Sequence, residues 1–227
     1  MAGMSDLASG RGDCFVAGTR IMTVDGQFSV ERLEAGNWLP LVHNGRTSPV
    51  WWMGHRIIDC ARHPHPETVW PIRIVRHAFT KNRPVRDLFL SPEHAIYVAG
   101  VLIPVRCLLN GGTVAQVQVN EVIYWHIELP GHGVVLAENL PCETYLDAGN
   151  RSAFSNGSKL AMLHPDFTPR ETDEAPCAPI VTDGPICELT RERLTKQALA
   201  LGWKTEPDND GTMRWVSPDG PWFRLPA

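Results

Sequence analysis

The stretch Asp13-Cys14-Phe15-Val16-Ala17-Gly18-Thr19 sets a cysteine at the entrance of a short strand, with a small-residue turn behind it. Free cysteine is most often a small buried hydrophobe, so Cys14 takes its meaning from the rest of the chain. Beyond Thr19 the pattern is one of short β-strands punctuated by turns. Thr19 to Val24 and Gln27 to Val30 flank Asp25-Gly26, a dipeptide that favours a type I′ hairpin because glycine accepts positive φ. Trp38 to Val42 and Val50 to Ile58 read as a second pair broken by Asn44-Gly45, with one helical turn over Val30 to Leu33 between the hairpins. His63-Pro64-His65-Pro66 stiffens a loop over Ala61 to Thr68. Strand patterns return at 69–76, 87–90, 95–98, 114–119, 122–129 and 133–137, and a short helix is predicted over Pro104 to Leu109, stopped by Asn110-Gly111-Gly112. Short strands at this spacing, with no long helical period among them, predict an all-β domain.

The composition shifts after Asp147 toward Pro, Ser, Thr, Asn and acidic residues. Residues 1–13 read as a flexible lead-in, 14–150 as the β-domain, 151–184 as a linker and 185–227 as an appendage of one helix and one hairpin. The helix is predicted from Pro185, a favoured first helical residue, to Leu201, with Gly202 as its stop. Ile186, Leu189, Leu194, Ala198 and Leu201 form an apolar stripe that must dock on something. The hairpin is predicted from Met213 to Ser217 and Trp222 to Leu225 around Pro218-Asp219-Gly220.

A chain of 227 residues with 43% hydrophobic and 20% charged residues is ordinary globular material, long enough for one sizeable core. A net charge of -4, without a dense run of Lys or Arg, disfavours nucleic-acid and membrane partners. Met1 to Gly12 lack the apolar segment of a signal peptide and no window approaches a membrane span. The expected location is therefore cytoplasmic, with export by a leaderless route as the other possibility. The six cysteines contain no Cys-x-x-Cys pair, which argues against a zinc ribbon or a thioredoxin-type site, and their density argues against a disulfide framework. Cys60, His63 and His65 lack a clear fourth ligand, so no metal site is assigned. No cofactor is expected either. The strand tryptophans read as core rather than as a carbohydrate platform.

Two further segments bear on Cys14. Leu90-Ser91-Pro92-Glu93-His94-Ala95-Ile96-Tyr97-Val98 places a hydroxyl and a histidine three residues apart where a turn enters an apolar strand. Val122-Ile123-Tyr124-Trp125-His126-Ile127-Glu128-Leu129 is followed by Gly131-His132-Gly133-Val134-Val135-Leu136-Ala137. Alone, Ser91-Pro92 is a turn and His94 a satisfied strand histidine. In this order and at these separations, the three segments resemble the Hint (hedgehog/intein) family of self-processing domains, and most of all its bacterial hedgehog/intein-like branch. Cys14 to Thr19 looks like the family's first block, Ser91 to His94 like its Thr-x-x-His block with serine for threonine, and Val122 to Ala137 like its terminal strands. The resemblance implies a compact, horseshoe-like β-domain of short strands and hairpins over roughly Asp13 to Asn150.

It also implies a reaction. The Cys14 thiol attacks the carbonyl of Asp13, and the resulting tetrahedral intermediate collapses to a thioester with release of the Cys14 amine. The lead-in ahead of Cys14, an extein-like remnant, is then the domain's own substrate. His126 stands where the family carries an acidic residue or a cysteine, and is read as the base. His94 is read as the proton donor to the leaving nitrogen, with Ser91 bonding the scissile amide or carbonyl. His132 sits where inteins carry a histidine that assists the second cleavage. Asn139 precedes Leu140 and Asn150 precedes Arg151, neither of them a Cys, Ser or Thr acceptor, so full splicing is not expected. Water or a small external nucleophile would resolve the thioester. The alternative reading is a catalytically silent Hint-fold module for interaction or display, favoured by the short stretch ahead of Cys14.

Overall fold

Three times the chain steps from one six-stranded sheet into another, and each step falls on one of the three motif segments. A computed structural model describes residues 13–145, 175–208 and 212–220. The first sheet runs, in spatial order, β11 (Val114–Gln116), β7 (Ile72–Ile74), β8 (Leu88–Leu90), β1 (Phe15–Val16), β12 (Glu121–Glu128) and β6 (Trp52–Asp59). The second runs β10 (Val101–Pro104), β9 (Ala95–Val98), β14 (Leu140–Glu143), β13 (Val134–Ala137), β2 (Arg20–Thr23) and β3 (Gly26–Ser29). The steps from the first sheet to the second are β1 to β2, β8 to β9 and β12 to β13. Cys14 immediately precedes β1, from which the first step departs, Ser91 and His94 lie within the second, and His132 lies within the third. The all-β expectation for this part of the chain holds.

One core fills the fold, with Phe15, Ile21, Leu39, Ile72, Leu88, Leu90, Ile96, Ile103 and Ile127 among its buried members. Burying each such side chain contributes about 1.5–3 kcal/mol. A second cluster gathers Cys14, Val16, Cys60, Phe89, Val122 and Tyr124. It lies on the face of β12 that carries Val122, Tyr124 and His126, as period-two alternation requires.

Several local expectations shift. The first hairpin forms, but its turn residues are Val24 and Asp25, and Gly26 opens β3 with φ of 118°. Trp38 to Val42 pairs not with the long strand after Val50 but with a short one, β4 (Trp38–Pro40) against β5 (Thr47–Pro49). The long strand β6 pairs along its whole length with β12. The predicted one-turn helices at 30–33 and 104–109 are 3-10 turns, Val30–Arg32 and Val105–Leu108.

The helix forms as α1 (Pro185–Ala200), and Gly202 closes it with φ of 85°. Its docked face is Cys187, Thr190, Leu194 and Ala198, while Ile186 and Leu189 are 36% and 47% exposed. The apolar stripe therefore holds only at Leu194 and Ala198. Cys187 and Leu194 join the main core, and Gln197 Nε2 donates to the His77 carbonyl at 3.1 Å. The described end of the expected linker is also bound: Leu102 N–H donates to the Pro179 carbonyl, and Val181 N–H to the Leu102 carbonyl, both at 2.8 Å. In the tail, β16 (Met213–Val216) pairs with β15 (Lys204–Pro207). The sequence pattern does not announce that pairing, and the expected partner Trp222 to Leu225 lies outside the described residues, as do 1–12 and 146–174.

Candidate active site

The register of β1 brings three functional residues together. This two-residue strand lies between β8 and β12, with Phe15 opposite Leu90 on one side and opposite Trp125 on the other. Continuing each antiparallel register by one residue sets Cys14 opposite Ser91 and opposite His126. Directly opposed residues project to the same face of a sheet. The contacts agree: the Cys14 N–H donates to Ser91 Oγ at 2.9 Å, the Ser91 N–H donates to the Cys14 carbonyl at 3.1 Å, and Cys14 Sγ lies 2.6 Å from His126 Nε2. The residue of β6 opposite His126 is Gly54, which presents no side chain there.

All of these groups are buried, with Cys14, His94 and His126 at 0% exposure and Asp13 at 2%. Burial penalises charged forms. It pushes the Cys14 thiol up to about 12, with the Arg56 guanidinium opposing the rise and Asp13 adding to it. It holds His126 well below the usual imidazole range, reinforced by Arg56 and His94. At rest both partners are thus neutral: the thiol donates to Nε2, which places the ring proton of His126 on Nδ1.

His94 follows Ser91 in the turn that leads into β9, and its backbone N–H donates to the Ser91 carbonyl at 3.1 Å. Its ring packs edge-on against Phe15 at 4.4 Å. Nε2 donates to the Glu143 carbonyl at 3.1 Å, which leaves Nδ1 as the atom able to load and release a proton. Burial lowers its pKa to about 4, partly offset by the backbone groups of Cys14 and Glu143.

His132 is placed differently from the other four. Its Nδ1 accepts from the Cys177 N–H at 3.0 Å, which puts its proton on Nε2, 3.4 Å from Glu143 Oε2. The other carboxylate oxygen of Glu143 accepts from the Ala95 N–H at 2.5 Å. Glu143 therefore grips His94 by ring and by adjoining backbone, and links it to His132. Neither Glu143 nor Arg56 stands out in the sequence. Arg56 reaches within 4.0 Å of Cys14 Sγ from β6, opposite Tyr124 and two residues from Gly54.

No cluster of three or more His, Cys, Asp or Glu side chains that could hold a metal ion occurs among the described residues. No helix there is long and apolar enough to cross a membrane. Asn139, weighed in the sequence as a cyclising residue, is the second residue of a tight turn between β13 and β14, where Glu138 and Asn139 take φ of 46° and 68°. Glu138 is itself buried, accepting from the Arg20 N–H at 2.7 Å and pairing with Arg86.

This two-sheet architecture, crossed at a cysteine, a serine–histidine turn and a paired terminal strand, is that of a Hint-type β-domain. A model of the Hint domain family matches residues 13–149, more than half of the chain, and the chain belongs to that family. Among solved structures, it is similar to a bacterial intein-like domain from Clostridium thermocellum, at 14% identity and a TM-score of 0.43, covering 59% of this chain and 99% of that one. It is similar also to the gp41-1 intein, at 13% identity and 0.41 over 59% and 98% of the two chains. The DnaB intein from Synechocystis sp. PCC 6803 matches at 9% identity and 0.41 over 59% and 99%. No curated protein matches the chain.

Proposed function

We propose that this domain breaks its own backbone at the Asp13–Cys14 bond by an N-to-S acyl shift, and that the thioester is resolved by hydrolysis or by an external nucleophile without full splicing. The observation that carries the reading is the 2.6 Å approach of Cys14 Sγ to His126 Nε2 while Ser91 holds the scissile N–H at 2.9 Å. Because the resting pair is neutral, His126 takes the thiol proton as sulfur attacks the Asp13 carbonyl, not beforehand. Arg56 stands beside the sulfur and favours its negative charge in the transition state.

Collapse of the tetrahedral intermediate needs a proton on the Cys14 nitrogen. His94 relays it through Nδ1: the proton that His126 took from the thiol passes to the oxygen of the tetrahedral intermediate and from there to Nδ1, and a group with a pKa of about 4 hands it on readily to the nitrogen while its Nε2 stays anchored on the Glu143 carbonyl. Ser91 keeps the nitrogen's N–H oriented during the transfer. The proton that leaves the thiol is thereby returned to the new amine, and no charge remains in the site. The domain's own N-terminal segment is the acyl donor, and water or a small nucleophile is the acceptor.

The test is intact mass before and after incubation with dithiothreitol. Loss of the segment ending at Asp13 from the parent chain and none from Cys14→Ala is the expected result. A folded parent chain that keeps its full mass would leave the silent-module reading standing.

A further inference from the structure

We infer that Asp13 is a catalytic residue as well as the acyl donor: its β-carboxylate attacks the thioester carbonyl of its own residue, so that a cyclic anhydride resolves the thioester. The inference rests on the acyl-shift reading and names the nucleophile that completes it.

The site is closed to bulk solvent. Asp13, Cys14, Ser91, His94 and His126 are all buried, and β1 is covered on both edges by β8 and β12. A water molecule must enter this enclosure to reach the acyl carbon directly. The Asp13 carboxyl is already inside it, on the buried residue whose own carbonyl the sulfur attacks. It is also tied to the reacting carbonyl through Cα and Cβ alone, so its attack closes a five-membered ring. Well-oriented intramolecular attack reaches effective molarities of about 10⁵–10⁸ M, against which an entering water competes poorly.

In the step itself, a carboxylate oxygen bonds to the thioester carbon, the carbon–sulfur bond breaks and the Cys14 sulfur leaves as a thiolate beside Arg56. Water then opens the anhydride at either carbonyl, giving two carboxylates and two protons. One proton restores the Cys14 thiol and the other goes to solvent. No oxidant, reductant or further reactant is needed.

Cleavage in oxygen-18 water separates the routes. After tandem mass spectrometry of the released peptide, label is expected in the β-carboxylate of Asp13 as well as in its α-carboxylate, because the anhydride opens from both sides. Label confined to the α-carboxylate means direct attack by water and overturns the inference while leaving the acyl shift in place. An intact chain overturns the acyl shift itself, and the inference with it. As a second measurement, Asp13→Ala is expected to slow hydrolysis about 10²-fold and to accumulate a thioester that hydroxylamine traps. Unchanged hydrolysis in that variant overturns the inference as well.

Discussion

The thiol of Cys14 faces His126 because residue 14 stands directly opposite residue 126 in the antiparallel pairing of β1 with β12. The contact is a matter of register. A shift of one residue would send the imidazole to the other face of the sheet. His126 is the only ring placed to take the thiol proton at 2.6 Å among the described residues. General-base help of this kind is worth about 10²–10⁴ in rate. His126→Ala is therefore expected to slow thiol-induced cleavage by about that factor with the fold retained, read by intact mass over time and by circular dichroism. Cleavage at the parental rate would remove His126 from the mechanism.

His94 and His132 differ in what they touch, and so should their variants. His94 lies in the same turn as Ser91, with its ring on the Glu143 carbonyl, whereas His132 is bound to Glu143 and to the backbone of Cys177. His94→Ala is expected to slow cleavage at Asp13–Cys14 more than His132→Ala does. Equal rates in the two variants would contradict the assignment of His94 to the leaving nitrogen.

Arg56 acts on the sulfur mainly through its charge, with a long hydrogen bond beside it. Its guanidinium is 4.0 Å from the Cys14 sulfur and pulls the thiol pKa down against burial. Removing one such stabilising group from a preorganised site costs up to about 10²–10³ in rate when it touches the developing charge. At this longer distance Arg56→Met is expected to slow cleavage about tenfold, a small share of that range. Arg56→Lys should recover part of the loss. A lysine variant no faster than the methionine one would mean that shape rather than charge matters.

The local half of this site was legible in the sequence and the long-range half was not. Cys14, Ser91, His94 and His126 each sit in a short segment whose turn or strand composition can be read by itself, and Val122 to Leu129 is rich in the β-branched and aromatic residues that strands favour. Glu143 escaped because β14 carries it. That strand is Leu140-Pro141-Cys142-Glu143, buried throughout and holding a proline, so it shows neither alternation nor the usual strand composition. β10 hid for the same reason, reached through a turn in which Ala99 takes φ of 51°. Arg56 escaped because nothing near it in sequence announces that β6 pairs with β12, some seventy residues further on.

The helix shows the same limit in a form that can be measured. Large apolar residues mark Ile186 and Leu189 as docked, yet the buried positions are Cys187, Thr190, Leu194 and Ala198, spaced three and four apart. Spacing, more than bulk, decides the face. Leu194→Ala is expected to cost about 2–5 kcal/mol of stability, as for other buried leucines. Leu189→Ala, at an exposed position, should stay within about 0.5 kcal/mol. Urea unfolding of both variants checks the difference, and similar midpoints would place the docked face wrongly.

Stability should fall on both sides of neutral pH, for reasons that lie in the site itself. Unfolded, His94 takes up a proton near 6.5; folded, it does so only near 4. Between these values the unfolded chain binds more protons, so lowering the pH favours unfolding, by about 1.4 kcal/mol per pH unit for such a group. The stabilisation is complete above 6.5 and is lost as the pH falls toward 4. His126, also depressed by burial, acts in the same direction. Cys14 works at the other end: unfolded it loses its proton near 9, while folded it keeps it to about 12. Above 9 the unfolded chain therefore binds fewer protons, and stability is lost as the pH rises. Urea midpoints across roughly pH 4 to 11 should show a plateau between about 6.5 and 9, with a shallower acid limb in His94→Leu and a shallower alkaline limb in Cys14→Ala. An acid limb of unchanged slope in His94→Leu would show that burial of this histidine in its neutral form is not what ties the fold to pH.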